Sequence, residues 1–62
     1  RVRDAIPPLQ RSFRVMNERF GADDWRTTSA GNALSKIYMA VGQRDAARQI
    51  QATLQQGQQP GA

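Results

Sequence analysis

Sixty-two residues make one small folding unit, which buries only about 60% of its unfolded surface and therefore leans on a staple, a metal or a partner. There is no cysteine and no histidine, which removes disulfides, thiolate zinc sites, and the commonest general base and metal ligand. Nine Lys and Arg stand against five Asp and Glu for a net charge of +4, but the cations never form a run, so they read as a solvated helix surface more than a phosphate-binding face.

The first predicted helix covers about 4–20. Val2, Ile6, Leu9, Phe13, Met16 and Phe20 recur every three or four residues, a narrow apolar stripe on one side of a helix. Pro7 and Pro8 fit within its first turn, where amides lack partners anyway, with Asp4 as the expected N-cap. Gly21 follows the stripe and is expected to end the helix in a left-handed conformation. Asp23 or Asp24 then caps a second helix over about 25–41. The short connection makes the two helices antiparallel neighbours.

The second helix carries a stripe of Ala30, Leu34, Ile37 and Val41, flanked by Ala33, Tyr38 and Ala40. Gly42 ends it. A third helix is predicted over about 44–56, with Ala46, Ala47, Ile50 and Leu54 inward and Arg48, Gln49 and Gln55 on the opposite side. Residues 57–62 hold no large apolar side chain and read as a disordered tail beyond a single unit over 1–56. The class is all-α, built from antiparallel helical hairpins.

Leu34, Tyr38, Gly42 and Ala47, spaced four, four and five, resemble the core signature of a tetratricopeptide repeat, a helix–turn–helix unit. Upstream, Ala5 to Leu9, Phe13, Phe20-Gly21, Asp23 and Asn32 are similar to the longer repeats of kinesin light chains, also found in many bacterial signalling proteins. In those repeats a Leu-Gly-x-Asp-His-Pro-like turn joins successive units. Here it reads Phe20-Gly21-Ala22-Asp23-Asp24-Trp25, with Asp24 and Trp25 in place of histidine and proline. Gly31 also departs from the pattern, where a larger apolar residue is common, and looser packing is expected there. Ala5 and Ala47 lie 42 residues apart, with Pro8 and Ile50 at the same offset, against about 34 for the simplest repeat.

The resemblance implies the second helix of one repeat followed by one complete terminal repeat of a larger solenoid. Its concave face would present Ser29, Asn32, Lys36 and Met39 to a protein or peptide, Asn32 bonding a peptide backbone and Lys36 meeting an acidic group. Without upstream repeats, the apolar stripe of the first helix would be uncovered and the chain would self-associate or fold only partly.

No catalytic constellation is visible. Ser35 and Lys36 diverge by about 100° on their helix. Asp23 and Asp24 read as caps, and Met16 and Met39 as packing residues. Trp25 is read as covering the end of the stripe near Phe20 rather than as a binding anchor. No enzyme activity, metal or cofactor is expected.

No stretch approaches the roughly 20 apolar residues of a membrane span. The start at Arg1 suggests a piece of something larger, so targeting information is missing; absent cysteines fit cytoplasm and periplasm alike, with the cytoplasm favoured.

The leading expectation is thus a protein-interaction scaffold. Two alternatives stand beside it: a small basic nucleic-acid-binding bundle, with only Arg44, Arg48 and glutamines as readers, and a self-associating assembly element using the first helix.

Overall fold

The computed structural model describes residues 1–58. A 3-10 turn, Val2–Ala5, leads into helix α1 (Ile6–Phe20), followed by α2 (Trp25–Ala40) and α3 (Arg44–Gln58). Among the described residues there is no strand, and the chain is all-α.

Each helix boundary has a local cause. Pro7 and Pro8 do sit in the first turn of α1, where the missing amides cost little. Asp4 is not its cap. The residue before the helix is Ala5, already in right-handed helical backbone, because the 3-10 turn runs directly into α1 and encloses Asp4. Gly21 ends α1 with φ +87° and ψ 162°, so its positive φ is as expected but its ψ is extended, not left-handed helical. Its N–H donates to the Asn17 carbonyl at 3.0 Å. Asp24, not Asp23, caps α2: its Oδ1 accepts the Arg26 N–H at 2.9 Å.

The α2–α3 turn is a Schellman motif. The Gln43 N–H reaches back to the Tyr38 carbonyl at 2.8 Å, and the Gly42 N–H to Met39 at 3.1 Å. This closure needs Gly42 at φ +82°, a conformation that side chains disfavour. Helix α3 continues through Gly57 to Gln58, two residues past the expected end. The rest of the expected tail, 59–62, lies outside the described residues.

Both α1 and α3 pack on α2. The core holds Phe13 of α1, Leu34 and Tyr38 of α2, and Ala47 and Leu54 of α3, with Ile6, Leu9, Ala30, Ala46 and Ile50 half-buried around it. The centre of the α1 stripe is therefore covered by α2, contrary to expectation; its two ends, Val2 and Phe20, are exposed.

The inward face of α2 is rotated from the expected stripe. Thr27, Gly31, Leu34, Ser35 and Tyr38 are buried, while Ile37 and Val41 are only half-buried. The cause is Gly31. A Cβ there would stand 2.9 Å from both Phe13 Cε1 and Leu54 Cδ1, and 3.2 Å from Ile50 Cγ2. The missing side chain lets residues of both flanking helices close over the backbone of α2. Packing at Gly31 is tight, not loose as the repeat pattern implied. Polar side chains share this face: Gln10 Nε2 donates to the Tyr38 hydroxyl, tying α1 to α2, whereas the fully buried Thr27 Oγ1 has no hydrogen-bond partner.

Candidate interaction groove

The face of α2 beside the core is open. Asn32, Lys36 and Met39 recur at four and three residues, so they form one exposed row. On α3, Arg44, Ala47, Arg48 and Gln51 recur at three, one and three, and form the facing row. Together with Ser35 these residues line a groove of about 650 Å³ between the two helices.

The floor is packed and small. Ala47 and Ser35 are both buried, so the groove bottoms on the α2–α3 contact. Met39 is 55% exposed and forms an apolar wall. Gln51 clamps the helices: its Nε2 donates to Ser35 Oγ at 3.1 Å and to Asn32 Oδ1 at 3.3 Å. This clamp engages the Asn32 carbonyl oxygen and orients its amide.

The charge is one-sided. Lys36, Arg44 and Arg48 all line the groove, and none of its lining residues is acidic. Among the described residues none of the three cations pairs with a carboxylate. Asp45 lines an adjoining depression with Gly42, Gln43, Arg44 and Ala46, which shares Arg44 with the groove. Cations dispersed in sequence are thus gathered by the hairpin.

Three of the four residues expected on a binding face, Asn32, Lys36 and Met39, come together here. Ser29 does not: it is exposed on α2 outside the groove, one turn before Asn32. Leu34, Tyr38 and Ala47 are core residues and Gly42 makes the turn, as their spacing suggested. Arg44, Arg48 and Gln51 are additions to the expected peptide-binding face; the sequence offers Arg44, Arg48 and glutamines only as readers in the nucleic-acid alternative. Arg48 had been placed opposite the apolar side of α3, but it follows Ala47 and stands at the edge of the contact. The signal available was the recurrence 44, 47, 48, 51 on one helix face.

A second surface feature lies at the α1–α2 turn. Trp25 is 73% exposed and covers nothing, against expectation. Instead the Arg26 guanidinium lies over the Phe20 ring at 4.1 Å and 5.6 Å from the Trp25 ring.

Among the described residues no cluster of three or more acidic side chains is placed to hold a metal ion, and no helix is long and apolar enough to cross a membrane. No protein family, curated protein or solved structure matches this chain.

Proposed function

We propose that the chain is a protein–protein interaction module, a terminal tetratricopeptide-like repeat that holds a polypeptide in the α2–α3 groove. The observation that carries this reading is the convergence of Asn32, Lys36 and Met39 with Arg44, Ala47, Arg48 and Gln51 on one groove. Polar and cationic groups surround a small apolar floor, the combination that orients a peptide while burying its side chains. The site stands on two helices tied by core packing and by Gln51, so little ordering is needed on binding.

Two further features support the repeat reading. Leu34, Tyr38 and Ala47 bury together across a hairpin closed at Gly42. Val15 and Phe20 of α1 stay partly exposed, as suits a helix packed on a preceding repeat or on a second copy.

A random peptide library displayed on phage and selected on the 62-residue chain tests the proposal. Selected peptides should shift the backbone amide signals of Asn32, Lys36, Met39, Arg44 and Arg48 and compete with one another. Failure to enrich any peptide, or shifts confined to other residues, would contradict it. Steeply salt-dependent binding to mixed-sequence duplex DNA in place of peptide would favour the nucleic-acid alternative.

A further inference from the structure

We infer that the α2–α3 groove selects an acidic amphipathic segment of a partner protein, with carboxylates beside Lys36, Arg44 and Arg48 and apolar side chains against Met39 and Ala47. This rests on the interaction reading above and adds the chemistry of the partner.

Charge complementarity commits the groove to this occupant. Its lining holds three cations and no anion; the nearest acid along α3, Asp45, lines the adjoining depression that shares Arg44 with the groove, which leaves Lys36 and Arg48 as the cations away from it. A basic segment would bring like charges together beside three exposed cations, which disfavours it as a partner. An acidic one meets two positive sides, since Lys36 stands on α2 and both arginines on α3.

Charge alone does not describe the lining. Met39 presents an adaptable thioether side chain, and Ala47 opens the floor. The aliphatic stems of Lys36, Arg44 and Arg48 add apolar surface below their charged ends. An amphipathic helix with apolar residues at three- and four-residue spacing satisfies both features. A nucleic acid backbone satisfies only the first, because Met39 and Ala47 offer nothing to phosphate or ribose.

The test uses three synthetic peptides and the 62-residue chain, with binding read by fluorescence anisotropy. The first is helical, with Leu on one face and Glu elsewhere; the second replaces every Glu by Lys; the third keeps Glu but replaces every Leu by Ser. The first should bind at least about tenfold more tightly than either other, more weakly as salt rises. The double variant Arg44→Glu/Arg48→Glu should lose about tenfold or more in affinity for the first peptide, with an unchanged circular dichroism spectrum. Both positions are exposed, and glutamate suits the first turn of α3 at position 44, so folding is preserved.

Equal affinity for the Glu and Lys peptides overturns the inference, as does an unchanged affinity in the double variant. Displacement of the Glu peptide from the groove by duplex DNA overturns it too. If library peptides of neutral or basic character occupy the groove, this inference falls while the interaction reading stands. If no peptide of any kind reaches the groove residues, both fall.

Discussion

On α2, residues one position apart differ sharply in burial. Gly31, Ser35 and Tyr38 lie inside; Asn32, Lys36 and Met39, the next residue in each case, line the open groove. The inner row is not the more hydrophobic choice, since it includes a glycine, a serine and, one turn earlier, Thr27 with its unpartnered hydroxyl. What it offers at Gly31 is an absent side chain where Phe13, Ile50 and Leu54 crowd the helix. The outer row is exposed, with the long side chains of Lys36 and Met39 and the Asn32 amide held by Gln51. Small residues thus set how closely α3 approaches α2, and that approach sets the floor on which the groove rests. Core packing and the lining of the groove occupy the same turns of one helix.

This contrast is broken most severely from the inside. Leu34 is 1% exposed at the centre of the core, and Leu34→Ala should cost about 3 kcal/mol. A unit of this size has only about 3–5 kcal/mol in total, so this variant keeps at most about 2 kcal/mol and should show a much lower urea midpoint, with part of the population unfolded at room temperature. Gly31→Val should cost about 2 kcal/mol in urea titration, because its Cβ would meet side chains of both flanking helices within 3.2 Å. It should also shift the amide signals of Gln51 and Asn32, as the helices are pushed apart.

The next change sharpens the comparison in the opposite direction. Thr27→Val replaces a buried, unpartnered hydroxyl by a methyl group of the same shape. It should raise stability by about 1 kcal/mol, seen as a higher urea midpoint with an unchanged slope. A loss of stability would mean that the hydroxyl has a role in the core. On the outer row, Lys36→Ala should change stability by less than about 0.5 kcal/mol, since the side chain is exposed and unpaired. Its effect should appear in binding to the acidic peptide instead.

Much of the architecture was legible from residue spacing. Prolines that suit only a first turn, Asp24 before a helix, and Gly42 between two apolar stripes gave three helices with ends displaced by a few residues. The exact inward face of α2 was not legible. Hydrophobic periodicity points to Ala30, Ile37 and Val41, whereas the close approach at Gly31 turns a less apolar row inward. That decision depends on side chains from α1 and α3, which local periodicity does not contain. The same limit hid half of the groove. Arg44 and Arg48 lie on the next helix from the expected Lys36, and only the hairpin places them around one cleft with it. Trp25 was misjudged because a large aromatic beside a helix end suggests burial, yet Arg26 covers Phe20 and leaves Trp25 exposed.

The claim that the α2–α3 groove is the recognition surface, read through its charge, is tested most directly by swapping that charge. The measurement is the ratio of affinities for the Glu-bearing and Lys-bearing peptides, in the unaltered chain and in Arg44→Glu/Arg48→Glu. The expected result is inversion: the unaltered chain prefers the Glu peptide and the double variant the Lys peptide, each by about tenfold or more. A preference that survives the swap unchanged would place recognition elsewhere on the molecule and contradict the claim.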